Sequence, residues 1–162
     1  MGIRETLNKN QPLAIGVSLV FIAGAVALVA WNASSKIPSR LKQVYYSDDD
    51  GKTYFVDDVN KLYPFDHDGK PAYKAYVYKG GDGQTFVGYL ERLTDSAKAT
   101  ISQLRQNPGG DTESQVMAQY VSGAEVKLPG DTKWIPESSP RAVTIMQPKS
   151  PSGDTDVHGV YP

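Results

Sequence analysis

The chain has 162 residues, 40% of them hydrophobic, with 17 basic against 18 acidic side chains and no cysteine. That length holds one domain with attachments, and the lack of cysteine excludes disulfides and thiolate metal or redox sites. A formal charge of −1 leaves no basic field for nucleic acid.

Residues 1–11 read as a short N-terminal tail. No side chain from Asn10 to Ser35 is charged, and from Leu13 to Trp31 only Ser18 is polar. The 20 residues from Pro12 to Trp31 make a helix of roughly 30 Å at about 1.5 Å per residue, the thickness of a bilayer's hydrocarbon. Ten strongly apolar residues in it, at about −0.3 to −0.6 kcal/mol each, favour insertion by roughly 3 to 6 kcal/mol. The segment 12–31 is therefore predicted to be a transmembrane helix whose partner is membrane lipid, with Trp31 at the headgroup level. The rival reading is a cleaved signal peptide, because Ala25-Val26-Ala27 has the small-x-small form of a cleavage site; the apolar run continues past it. Gly16, Ala23, Ala27 and Ala30 share one side of the helix, where small residues admit a partner helix.

Cations flank the span on both sides: Arg4 and Lys9 before it, Lys36, Arg40 and Lys42 after it. The short tail and long remainder give the expected topology, single-pass with the N-terminus cytoplasmic and the C-terminal domain outside the cytoplasm. Residues 32–43 form a linker, 44–147 a soluble domain, and 148–162 a Pro-, Gly- and Ser-rich tail expected to be flexible. "MGIRET" fits the myristoylation pattern with Gly2 and Thr6, though an adjacent span makes a lipid redundant. Asn32-Ala33-Ser34 is a glycosylation triplet set almost at the membrane surface.

From Gln43 onward tyrosine and valine recur between turn signals. "QVYYS" and "TYFVDD" are β-prone runs around Asp-Asp-Asp-Gly, and "YKAYVYKG" and "QTFVGYLERL" are a second pair around Gly-Asp-Gly. Alternation puts Tyr73, Ala75 and Val77 on one face and Lys74, Tyr76 and Tyr78 on the other. The stretch between the pairs, "NKLYPFDHDGKPA", reads as a loop. Thr94 caps a helix over "DSAKATISQLRQN" with Ala97, Ile101 and Leu104 as its apolar stripe and Pro108-Gly109-Gly110 as its stop. "DTESQVMAQYVSG" is a second helix, with Thr112 and Gln115 as a capping box and Gly123 as its end. A third hairpin turns at Pro129-Gly130 with Trp134 on its return strand, and "AVTIM", Ala142 to Met146, is the last strand candidate. The predicted fold class is α+β: an N-terminal transmembrane helix followed by a small antiparallel sheet domain with one or two helices.

The stretch "SDDDGKTY" matches neither an EF-hand loop, which would need oxygen ligands where Tyr46 stands, nor a phosphate-binding loop, which would need a glycine there. Position by position it resembles the Asp-box, or neuraminidase-repeat, motif, through Ser47, Asp49, Gly51 and Thr53, with Tyr54 in place of tryptophan. The resemblance covers eight residues, 47–54, and implies a structural hairpin: Asp and Ser/Thr side chains take up loop amides, the glycine supplies positive φ, and the aromatic packs beneath. "DGQTFVG" from Asp82 is a degenerate second copy, too few for a propeller, so no sialidase activity is implied. The overall layout resembles small single-pass membrane-anchored bacterial proteins, which supports the anchor and brings no activity.

Between Val44 and Lys70 stand seven aspartates and three lysines. Asp57, Asp58, Asp66, His67 and Asp68 make this a candidate cation-binding segment, with a solvated acidic face as the ordinary reading. His67 and His158 are the only histidines, and no Gly-x-Ser-x-Gly elbow accompanies them. Glu91 lies on a strand, but no spacing selects a carboxylate pair. No catalytic, cofactor-binding or metal residue is assigned. Tyr73, Tyr76, Tyr78 and Tyr89 offer an aromatic sheet face to a protein or glycan. The functional expectation is a membrane-anchored extracytoplasmic structural or protein-interaction module; the alternatives are a cell-surface carbohydrate-acting hydrolase and a calcium- or glycan-binding module.

Overall fold

The computed structural model describes residues 42–162 except 152, 154 and 155. The expected span from Pro12 to Trp31, the tail before it and linker residues 32–41 lie outside the described residues. Among those described, no helix is long and apolar enough to cross a membrane.

The domain is α+β, an antiparallel sheet with three helices. Its strands are β1 (Gln43–Ser47), β2 (Phe55–Asp58), β3 (Phe65–His67), β4 (Lys70–Lys79), β5 (Thr85–Leu93), β6 (Ala124–Lys127), β7 (Ile135–Pro136) and β8 (His158–Val160). The helices are α1 (Asp95–Gln106), α2 (Thr112–Gly123) and α3 (Pro140–Ile145). Strand order is β2-β1-β4-β5-β6-β7, with β3 and β8 also paired to β4. The ten residues of β4 organise the sheet. One edge of β4 pairs with β5 and the other with β1 at Tyr73–Lys74 and β8 at Val77–Lys79, while β3 pairs with β4 at Lys70–Ala72.

Cross-strand partners lie on one side of the sheet, so the pairs Tyr46↔Lys74, Lys74↔Glu91 and Glu91↔Val126 define one face. At one end of that face α1 and α2 cover Tyr46, Tyr63, Leu93, Ile101 and Ala124; at the other, α3 lays Ala142 and Ile145 on Tyr89, Val126 and Ile135. The opposite face gathers Ala75, Val77, Val87 and Leu90 under Tyr45, Tyr54, Tyr73 and Trp134. No described helix contributes to that cluster.

Local chemistry explains the elements. The Thr94 hydroxyl accepts the Ala97 N–H at 3.3 Å, with Asp95 in the first turn of α1 and Arg105 in the last. A side chain on Gly123 would lie 2.2 Å from the Ala97 Cβ, so glycine is what lets α2 reach α1. The predicted faces of β4 hold: Ala75 and Val77 enter the helix-free cluster, and Tyr76 and Tyr78 pack toward α3.

Several expectations are corrected. The presumed loop before β4 contains β3, joined to β4 by Asp68-Gly69, both at positive φ (51° and 80°), a two-residue hairpin turn. The strand expected at 142–146 is instead helix α3: Pro140, pre-set for a first helical position, starts it, and its buried face is Ala142 and Ile145. The final strand is β8, inside the segment expected to be a flexible tail. Trp134 precedes its strand instead of lying on it. Asp111 is the N-cap residue of α2, and the Thr112 hydroxyl bonds the Gly109 backbone instead of closing a capping box.

Candidate functional site

The most convergent group of polar side chains lies on the helix-bearing face, around Glu91, which is 5% exposed. Register brings Lys74 opposite Glu91 and sets Tyr76 two residues along β4. Tyr63 arrives from the β2–β3 connection, held by its carbonyl accepting the Leu93 N–H at 3.0 Å. The Tyr76 hydroxyl donates to Glu91 Oε2 at 2.5 Å, and the Tyr63 hydroxyl donates to Oε1. Lys74 Nζ donates to the Tyr76 hydroxyl at 2.8 Å, lies 3.5 Å from Glu91 Oε1, and sits over the Tyr63 and Tyr76 rings. Tyr89 stacks on Tyr76 at 4.2 Å.

Burial, followed by the Glu91 charge and hydrogen bond, pushes the Tyr63 and Tyr76 phenols far above their ordinary range. Both therefore remain protonated donors. Glu137, on the segment between β7 and α3, has its carboxyl pushed up by burial and by the Glu91 charge, with Lys74 opposing. Both Glu91 oxygens are thus occupied by the protein's own donors. This arrangement secures a buried carboxylate and presents no free oxygen to a substrate.

The three aspartates at 48–50 go to three destinations. Asp48 meets His67 Nδ1 at 2.8 Å, and the His67 ring stacks on Phe55 at 4.0 Å. Asp49 takes the Thr53 N–H at 2.9 Å, the Thr53 hydroxyl at 2.7 Å and the Ser47 hydroxyl at 2.9 Å. Asp50 receives the Lys127 ammonium and the Gly130 N–H, the latter at 2.9 Å. The Ser47 hydroxyl accepts the Gly51 N–H at 2.8 Å, and Asp50 and Gly51 turn the chain at φ 64° and 81°. Burial raises the Asp49 and Asp50 carboxyls, but these donors outweigh it and hold both below the ordinary carboxylate range.

Three of the other candidate ligands are also committed locally. Asp57 pairs with Lys61 at 2.5 Å, Asp58 accepts from the Asn60 amides, and Asp66 accepts from Gly69. Among the described residues no group of three His, Asp or Glu side chains is arranged to hold a metal ion.

The expected aromatic face does not form as one surface. Tyr76, Tyr78 and Tyr89 pack into the core by α3, while Tyr73 lies on the helix-free face, 5.0 Å from Trp134. Sequence reasoning missed what assembles there: Tyr45 edge-on to Tyr54 at 4.9 Å, with Arg92 and Lys127 over the Trp134 ring at 4.7 and 5.3 Å. Alternation could have placed Arg92 beside Tyr73, but Trp134 arrives on the β6–β7 loop, and no local signal says which face that loop crosses.

An apolar groove of about 190 Å³ opens where β1 and β8 part along β4, between Val44 and Tyr45 on one side and Val160 and Tyr161 on the other. That is below the roughly 300 Å³ at which small-molecule sites begin. No protein family, curated protein or solved structure matches this chain.

Proposed function

We propose that the chain is a membrane-anchored extracytoplasmic structural or protein-interaction module. Pro12 to Trp31 is its span, the N-terminus is cytoplasmic, and residues 42–162 stand outside the cytoplasm. The uncharged run from Asn10 to Ser35 supports the tether. The helix-free sheet face supports the interaction role and is the observation that carries it. There Tyr45, Tyr54, Tyr73 and Trp134, all half-buried, lie side by side with Arg92 and Lys127, a composition typical of protein-binding surfaces.

The self-contained hydrogen bonding of Glu91 favours this reading over a hydrolase. The separate commitments of Asp48, Asp49 and Asp50 favour it over a calcium module. The Ser47–Tyr54 loop is, on this proposal, a structural hairpin of the Asp-box kind: its side chains satisfy its own amides, and Tyr54 packs on Tyr45.

The test is photo-crosslinking in intact membranes with a photoreactive amino acid at Tyr73 or Trp134, compared with Gln103 on the exposed side of α1. Discrete adducts at the two sheet positions and none at Gln103 are expected. Equal labelling at all three positions would remove the interaction role.

A further inference from the structure

We propose that β8 is an exchangeable strand, and that the occupant that takes its place on β4 is the β8 segment of a second copy of this chain. The inference does not depend on the membrane tether. It starts from how unequally the partners of β4 other than β5 are held. β3 and β1 both continue into hairpins, β3 into β4 itself and β1 into β2. β8 arrives from the far end of the chain and has only three paired positions, Val77↔Val160, Tyr78↔Gly159 and Lys79↔His158.

Few side chains hold it there. Val160 is half-buried against the Ala75, Val77, Val87 and Leu90 cluster, His158 and Gly159 are exposed, and Tyr161 is 69% exposed. On its β1 side lies the apolar groove, so β8 is not packed against a neighbouring strand end. An element with so few buried contacts opens at a small fraction of the global unfolding free energy. Once open, it leaves the β4 edge at Val77–Lys79 and the apolar cluster beneath uncovered, a template for another extended chain.

The preceding segment defines where the exchange hinges. Pro148 lies where a Cβ on Gly88 would be 2.7 Å from it, and Ser150, 4% exposed, lies where a Cβ on Gly80 would be 2.8 Å away. Gly80 and Gly88 thus make room for an anchor that ends at Ser150. The slot is complementary to β8 by construction, so exchange keeps every native contact, and local concentration decides between closed and swapped forms.

The absence of cysteine from the chain makes the test direct. Full-length Lys79→Cys and full-length His158→Cys are co-expressed in neutral detergent-extractable form and treated with a short bis-maleimide. Both positions are exposed and opposite one another, so neither change should disturb folding. The double variant Lys79→Cys/His158→Cys calibrates linkage, and Lys79→Cys with Lys133→Cys controls for random collision. A covalent species of twice the 17.6 kDa chain mass from the first pair, and not from the control pair, is the expected result. If the double variant links within one chain and the mixed pair yields no dimer above the control, exchange does not occur. If the double variant fails to link at all, the pairing of β8 with β4 is wrong and the proposal falls with it.

Discussion

The β1–β2 loop and the Glu91 cluster are both closed hydrogen-bonded systems built on carboxylates, yet they differ in reach and in burial. Within the loop, Asp49 and Ser47 bond residues two to four positions away, and the two Asp49–Thr53 bonds lie at the surface. Around Glu91, partners come from 15, 17 and 28 positions away and meet in the core. A local system can reform with water when one member is lost. A buried one cannot, because the remaining donors are left desolvated. The same chemistry should therefore have very different consequences in the two places.

The largest effect is expected from Glu91→Ala, which strands Lys74, Tyr63 and Tyr76 and should cost about 3 to 5 kcal/mol in urea unfolding at neutral pH. A loss below about 1 kcal/mol would erase the distinction between the regions. Gly123→Ala forces a methyl group into Ala97 and should cost about 1 to 3 kcal/mol by overpacking, read as a lowered thermal midpoint. Asp49→Ala leaves the exposed Thr53 groups to water, while the buried Ser47 hydroxyl still accepts from Gly51, and should cost about 1 kcal/mol, with the helices unaffected.

The pH dependence sharpens the contrast further. The folded-state pKa of Glu137 is raised, so its charged form costs stability at neutral pH, and that cost fades as pH falls through the folded value. Glu137→Gln should therefore stabilise the domain at pH 7, by less than about 1 kcal/mol because solvent screens the group, and give no gain near pH 4. Asp49 and Asp50 behave oppositely. Their folded-state values lie below the ordinary 3.8, so their contribution is present above that value and is lost as pH falls through the folded ones. Titration of thermal stability from pH 7 to pH 3, comparing wild type with Asp50→Asn, checks the sign. The smallest expected effect is that of calcium: millimolar calcium should leave the thermal midpoint unchanged, since each acidic side chain from Asp48 to Asp50 already has a protein donor.

What could be read from the sequence follows the same division. β1, β4, β5 and α1 were legible because alternation, helical spacing and the Thr94 cap act within a few residues. So was the positive φ of Gly51. Helix α3 was not, because Ala142 to Met146 carries β-branched residues and only Pro140 argues the other way. Strand β8 had no local signal at all; a three-residue "HGV" becomes a strand only because β4 offers it an edge. Glu91 stood out only as a charge on a strand, since nothing in the spacing of Tyr63, Lys74 and Tyr76 announces that they meet. Tertiary register decided it.

The tether remains the claim on which the proposed role rests, and alkaline carbonate extraction of vesicles tests it most directly when paired with intact-mass analysis. The full-length polypeptide should stay in the pellet with its first 27 residues still attached. Recovery of the whole chain in the wash, or a mature product that starts after Ala27, would contradict the account.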